Sequence, residues 1–364
     1  MKINFIDLHS QYKKYKGEID SAIHAVLDSS QYILGKDVAE LEHELAAFTG
    51  VSHCISCSSG TDALLLALMA LDIKPGDEVI TSPFTFIATA EMIALLGAKP
   101  VYVDIDEQTY NIDASLIALK ITPRTKAIIP ISIYGQPADM DEINALAARH
   151  RLTVIEDAAQ SFGAEYKGKK SGNLSTIACT SFFPSKPLGC YGDGGAVFAG
   201  DQAMAARIRS QMNHGQAERY KHKYVGINGR LDTIQAAVLR VKLKYFDEEI
   251  RMRSIVAEHY NRLLEGSGLV TPIIRDDRTS VFAQYSVRST KREQLIAHLT
   301  LRGVPTAIHY PIPLYRQEAL SDSSCSQKSY PVTEAVTREI MSLPMSAFLM
   351  EEQQDYIVGV IREF

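Results

Sequence analysis

Between residues 54 and 155 of this 364-residue chain, short apolar runs alternate with helix-length segments, and no other feature restricts the fold as much. The runs 54–57, 78–81, 100–103, 127–131 and 153–155 are near-continuously apolar, as strands covered on both faces are. The segments between them, 61–71, 85–96, 113–119 and 140–150, carry apolar residues at helical spacing. A strand, a crossover helix and another strand can lie in one sheet only if the strands run parallel. The expectation is therefore an α/β fold whose large domain has a mostly parallel sheet sandwiched by helices.

Either side of this region the pattern changes. Ile19, Ile23, Val26 and Leu27, then Val38, Leu41, Leu45 and Phe48, predict two helices flanking the turn Gln31-Tyr-Ile-Leu-Gly35. Beyond Gly195 we expect one more strand, a helix over 201–212, a polar loop over 213–229, and one long helical stretch over 231–264. Residues 266–280 hold glycine, proline and charges, as a boundary does. A strand over 281–288, a helix over 291–302 and a strand over 304–309 then predict a small C-terminal α+β domain. The division expected is 1–245 for the large domain and 246–364 for the small one, with the polar run 321–329 either plain solvated surface or a mobile loop.

Composition excludes several classes of function. A net charge of -5 shows no basic excess, so neither nucleic acid nor an anionic membrane surface is an expected partner. No uninterrupted apolar run approaches about eighteen residues, and the first residues lack a signal-like apolar core. Five cysteines, Cys54, Cys57, Cys179, Cys190 and Cys325, make a poor disulfide framework, which fits a reducing cytoplasm. Cys54-Ile-Ser-Cys57 has metal-like spacing but no second pair or suitably spaced histidines, so no metal is expected. Asp104, Asp106 and Glu107 read as a solvated turn.

Four places can carry chemistry. Ser58-Ser-Gly-Thr61-Asp62 follows a predicted strand and opens a helix, where free backbone N–H groups and the helix dipole favour an anion such as phosphate. The same residues are also ordinary helix caps. Asp157, in Ile155-Glu-Asp-Ala-Ala-Gln160, stands at the end of an apolar strand, where it either caps a helix or pairs with a protonated ring nitrogen. Phe86 follows another strand and is either a core residue or an aromatic face for a flat ring. Lys186, in Ser181-Phe-Phe-Pro-Ser-Lys-Pro, has no other charge nearby. Near-apolar surroundings disfavour the charged ammonium, and a partly neutral lysine can form a Schiff base with a carbonyl compound.

An anion-binding helix start near 60, an aromatic at 86, a strand-end acid at 157 and an isolated lysine at 186 together describe a pyridoxal 5'-phosphate site. Over nearly its whole length the sequence resembles the DegT/DnrJ/StrS family of sugar-nucleotide aminotransferases, which are fold-type I pyridoxal phosphate enzymes. The resemblance rests on Phe5-Ile-Asp-Leu, Ser59-Gly-Thr-Asp-Ala-Leu, Pro75-Gly-Asp-Glu-Val, Glu156-Asp-Ala-Ala-Gln, Ser181-Phe-Phe-Pro-Ser-Lys, Gly192-Asp-Gly-Gly and His309-Tyr-Pro. It implies that Lys186 is the Schiff-base lysine and proton carrier, Asp157 the partner of the ring nitrogen, Gln160 that of the ring hydroxyl, and Phe86 the cover of one ring face. It further implies phosphate contacts from Gly60, Thr61 and Ser181, completed by Asn228 of a second subunit, hence a homodimer with shared sites.

Some relatives replace the lysine by histidine and remove a hydroxyl, whereas this chain keeps Lys186. Long runs, among them residues 178–195 and 304–314, look like the subgroup acting on UDP-2-acetamido-2-deoxy-3-oxo-glucuronate with L-glutamate as donor and 2-oxoglutarate as product. For such a UDP-linked keto sugar acid, Arg230 is the candidate for the carboxylate, with His309 and Tyr310 lining the pocket. Gly229 stands where the family often has serine. A 4-keto hexose as substrate and a non-catalytic regulator on the same fold are the alternatives.

Overall fold

The computed structural model describes residues 2–320 and 329–364, so Cys325 and nearly all of the polar run 321–329 lie outside the described residues. Helices α1 (Leu8–Ser29) and α2 (Lys36–Thr49) lead into β1 (His53–Cys57). Then α3 (Gly60–Ala70), β2 (Glu78–Thr81), α4 (Ala88–Leu95), β3 (Lys99–Tyr102), β4 (Thr125–Ile129), α5 (Met140–His150) and β5 (Thr153–Asp157) follow in the expected alternation. Two further strands, β6 (Ile177–Ser181) and β7 (Gly195–Ala199), complete a seven-stranded sheet of order β1-β7-β6-β5-β4-β2-β3. Only β7 runs against the others, pairing antiparallel with β1 and β6. The rest of the sheet is parallel, as α/β sequences require.

Why α3 is central can be read from its residues. Ala63, Leu64, Leu65, Leu66, Ala67 and Leu68 are buried all round its axis, which is the composition of a helix enclosed by protein rather than facing water. Its start is fixed by Ser59, whose hydroxyl accepts from the Asp62 N–H at 3.0 Å. The C-terminal ends of β4, β5 and β6 therefore open beside an anchored helix N-terminus, where open α/β sheets hold ligands.

Three sequence expectations need correction. The predicted single helix over 231–264 is two helices, α6 (Gln202–Met212) being followed by α7 (Thr233–Leu243) and α8 (Phe246–Leu264) with a break at Lys244 and Tyr245. The charges explain it: Arg240 and Lys242 sit in the last turn of α7, and Asp247, Glu248 and Glu249 in the first turn of α8, so each end suits its own dipole. The strand expected over 281–288 is limited to β8 (Tyr285–Arg288), followed by α9 (Arg292–Leu301). The strand expected over 304–309 is absent, because Pro305 has no N–H to donate and only Ala307 bridges Ser342. After α10 (Pro331–Glu339), the real partner of β8 is β9 (Ile340–Leu343), and α11 (Glu351–Arg362) closes the chain.

Two cores bracket the break. Phe246 stacks on Phe162, with ring centroids 6.0 Å apart and planes at 15°, and lies 5.6 Å from Phe48, so the start of α8 belongs to the core beside α2. Further along α8, Tyr260 packs with Tyr285, Leu299, Met341 and Ile357, and Ile3 from the chain's beginning joins that second core. Phe246→Ala removes the stack, and we expect it to cost about 3–5 kcal/mol. A falling urea midpoint at unchanged slope measures this loss; a change under 1 kcal/mol would show that the two helices do not need this anchor.

Candidate active site

Asp157 is the last residue of β5 and is buried, its carboxylate accepting from the Thr89 hydroxyl at 2.9 Å and the Ala159 N–H at 3.1 Å. Burial pushes its pKa up, while these two donors and Lys186 pull against that shift. Lys186 follows β6 in a turn whose backbone closes by its own N–H donating to the Phe183 carbonyl at 2.8 Å. As a whole residue it is half-buried, but its amine is deep enough that burial holds its pKa below the usual lysine value, with the Asp157 charge opposing. The result is an amine closer to neutrality than a surface lysine, facing one carboxylate.

Gln160, three residues past Asp157, accepts from the Tyr134 N–H at 2.8 Å, and its amide nitrogen lies 3.4 Å from the Tyr310 hydroxyl. The ring of Phe86 stands 6.1 Å from that of Tyr310 at 44°. Phe86 is 55% exposed, which rules out the core reading and leaves an aromatic face open to a ligand. His309 sits against Tyr310, with its Nδ1 2.9 Å from the Ser342 hydroxyl. Burial first and then the nearby Lys186 charge push its pKa down to about 4, so the ring is neutral at neutral pH. These long-range bonds gather Phe86, Asp157, Gln160, Lys186, His309 and Tyr310 into one group.

A second group gathers at the start of α3. A Cβ on Gly60 would lie 2.6 Å from the Ser181 Cβ, so helix start and strand end are in direct contact. Gly60, Thr61 and the half-buried Ser181 thus present N–H and hydroxyl donors side by side. The Ser58 N–H donates to the Gly229 carbonyl at 2.9 Å, docking the turn of Asn228 and Arg230 on the same helix start. Asn228 is exposed, and its backbone bridges Asn213. Arg230 donates through Nη1 to Asn213 Oδ1 at 2.8 Å, while its buried Nε has no partner among the described residues. Its guanidinium is therefore only partly engaged, as are those of Arg207 and Arg253, whose Nε atoms also lack a partner among the described residues.

The sequence reading missed Thr89, Tyr134 and Ser342. Thr89 was within reach, being one helical turn from Phe86, but Tyr134 and Ser342 come from contacts that no local pattern announces. Cys54, Cys57, Cys179 and Cys190 are buried free thiols. Among the described residues no group of three or more histidine, cysteine or acidic side chains is disposed to hold a metal, and no helix is long and apolar enough to cross a membrane.

An amine whose pKa burial lowers, a buried acid, an open aromatic face and a cradle of N–H donors fit a phosphate-bearing ring aldehyde, the equipment of a Schiff-base enzyme. The DegT/DnrJ/EryC1/StrS aminotransferase family model matches residues 13–362. The chain belongs to that family and is a pyridoxal phosphate-dependent sugar aminotransferase. It is 57% identical to the UDP-2-acetamido-2-deoxy-3-oxo-D-glucuronate aminotransferase of Pseudomonas aeruginosa, over 95% of this chain and 96% of that one. It is 46% identical to a pleiotropic regulatory protein of Geobacillus stearothermophilus, covering 100% of this chain and 99% of the relative. The crystal structure of S. venezuelae DesV superposes with a TM-score of 0.97 at 41% identity, covering 100% of this chain and 98% of that one.

The depressed pKa of His309 carries a signed prediction. An unfolded histidine takes its proton near pH 6.5, whereas the folded ring resists until about 4, so folding loses stability as pH falls through that window. We expect His309→Gln to show a smaller loss of thermal stability than the parent between pH 6.5 and 4. Parallel melting curves over that range would contradict the burial of a neutral ring.

Proposed function

We propose that this enzyme transfers the amino group of L-glutamate to C3 of UDP-2-acetamido-2-deoxy-3-oxo-glucuronate, releasing 2-oxoglutarate. The product is a precursor for surface polysaccharides such as O-antigen or capsule. The observation that carries the reading is the lone Lys186 amine opposite buried Asp157, in a chain 57% identical to the Pseudomonas protein of that activity. Pyridoxal phosphate, when bound, supplies the electron sink that acidifies a carbon next to nitrogen and carries that nitrogen between the two halves of the reaction.

The chain's own residues supply the rest. Asp157 holds the ring nitrogen protonated, its ionised form being favoured against burial by Thr89 and Ala159. Gln160, with its carbonyl already taken by Tyr134, turns its amide to the ring hydroxyl. Phe86 covers one ring face and keeps water from it. Gly60, Thr61 and Ser181 receive the phosphate at the start of α3, where N–H groups and dipole both favour an anion. Lys186, whose pKa burial lowers, takes the proton from the donor carbon and returns it at the other end of the transfer.

Arg230 receives the sugar carboxylate through its unpartnered Nε, and His309 and Tyr310 line the sugar pocket. The exposed Asn228 completes the phosphate site of a second subunit, which makes the enzyme a homodimer with shared sites. Residues 1–245 supply the bulk of the cofactor-binding domain, whose core also takes in Phe246 at the start of α8, and the rest of 246–364, joined by Ile3, makes the smaller domain. Its place is the cytoplasm, where four buried free thiols stay reduced. The regulatory name of the Geobacillus relative does not alter this reading, since both Lys186 and Asp157 are in place for chemistry.

The deciding experiment loads the protein with pyridoxamine phosphate and adds 3-keto or 4-keto UDP-sugars separately. Return of the pyridoxal absorbance with the 3-keto acid supports the reading; return with a 4-keto sugar alone overturns the substrate but keeps the aminotransferase. Lys186→Ala is expected to abolish both half reactions while leaving the fold intact by circular dichroism. Arg230→Ala should raise KM for the sugar acid about 10- to 100-fold, the worth of one charged hydrogen-bonding group, with the glutamate half unchanged.

A further inference from the structure

After β6 the chain folds into a pinched loop with Lys186 at its tip. At the base of the loop the Cys190 N–H donates to the Phe182 carbonyl at 2.8 Å. At its waist Gly189 runs so close that a Cβ there would lie 2.5 Å from the Pro184 carbonyl oxygen and 2.7 Å from that of Phe183. These contacts, like the bond from the Lys186 N–H to the Phe183 carbonyl, lie within the loop and fix its shape, not its place.

Its place is set from α7. Gln235, Leu239 and Lys242 recur at helical spacing and so share one face of that helix. Leu239 belongs to one core with Phe182, Leu188 and Cys190 of the loop. Gln235 accepts the Tyr191 N–H on its Oε1 at 2.8 Å and donates through Nε2 to the Tyr191 carbonyl at 3.3 Å. Two turns further along, the Lys242 ammonium donates to the carbonyl of buried Gly189.

Lys242 is only 2% exposed, and a lysine so deep is uncommon. Burial draws its pKa down to about 8, Glu249 on α8 and the Cys190 thiol opposing that shift and Arg253 adding to it. Its Nζ also stands 5.3 Å from the centre of the Tyr191 ring. Glu249 is itself held by Gln11 of α1, whose Nε2 donates to its Oε2 at 2.7 Å. A methionine would fill the same space without a charge to desolvate. What methionine lacks is a donor for a buried carbonyl three residues from the reactive amine.

We propose that Lys242 is a positioning residue for the reactive amine: by tying the Gly189 carbonyl to α7 it sets where the tip of the loop, and with it the Lys186 Nζ, stands. The amine ends a flexible four-carbon stem, so its reach depends on where its Cα is held. Its bond to a ring aldehyde, formed with loss of water, requires the amine at bonding distance of a carbon whose place is set by the phosphate at the other end of the ring. The proposal rests on the reading of Lys186 as that amine.

The test compares two rings that differ only at the reacting carbon. Pyridoxal 5'-phosphate carries the aldehyde, whereas 4-deoxypyridoxine 5'-phosphate has a methyl group there and binds without a bond to Lys186. The ratio of their Kd values on the full-length apoprotein, by calorimetry, isolates the amine's part from that of the phosphate and ring contacts. Lys242→Met is expected to weaken pyridoxal phosphate about tenfold, the scale of one charge-assisted hydrogen bond, and to leave the deoxy compound as in the parent. Ile143→Ala, in a separate core, should lower Tm and leave the ratio unchanged. Equal weakening of both ligands by Lys242→Met would mark a residue that only supports the fold, and an unchanged ratio one the amine does not need; either overturns the proposal. Should Lys242→Met not fold, Lys242→Gln takes its place, and failure of both to fold overturns the proposal as well. A parent that binds the two rings alike overturns the reading of Lys186 itself.

Discussion

Three stretches of backbone meet at one end of the sheet with no side chain between them, and the site is built outward from that contact. A Cβ on Gly195 would stand 2.4 Å from the carbonyl carbon and oxygen of Ser59 and 2.7 Å from the Gly60 nitrogen, while one on Gly60 would meet Ser181. Neither glycine has a positive φ, so it is room, not turn geometry, that requires them. The contact presses the N-terminus of α3 against the end of β6 and the beginning of β7. Strand β5 pairs with β6 through Asp157 and Cys179, so the acid is carried at a fixed distance from the helix start. The separation of the acid from the helix start is thus set by backbone, which deforms little, and only the fine contacts are left to side chains.

Around this frame the charges are kept by opposition. Asp157 and Lys186 are each disfavoured by burial, in opposite senses, and each is partly restored by the other. An uncompensated charge at either position would be costly. The Lys186 charge also bears on His309, lowering its pKa below what burial does alone. Burial and neighbouring charge thus bias the protonation of all three groups.

Much of the architecture was legible because it rests on periodicity. The bounds of β2 and α5 were read to the residue, and the ends of β1, β3 and α3 to within one. What failed depends on partners: β9 could not be told from a helix end until β8 claimed it, and Pro305 silenced an otherwise strand-like run. The break between α7 and α8 was visible in charge, with bases before it and acids after, but apolar spacing alone ran through it. In the site, residues lying next to a strand end, such as Asp157 and the group near 60, could be found from order alone. Tyr134, Ser286 and Ser342 could not, since their meaning lies in bonds spanning 33 to 175 residues.

That spread in sequence sets a clock on assembly. The amine, the acid and the helix start packed on Ser181 all lie before residue 200, in the sheet and its nearest turns. The wall that faces the amine comes from residues 309 and 310, backed by serines on β8 and β9. A chain emerging from the ribosome therefore owns its reactive lysine well before it owns the cover, at least a hundred residues of synthesis apart. The vitamin-derived ring and the fold are linked in time: a ring bound early meets water, and one bound late meets a finished pocket.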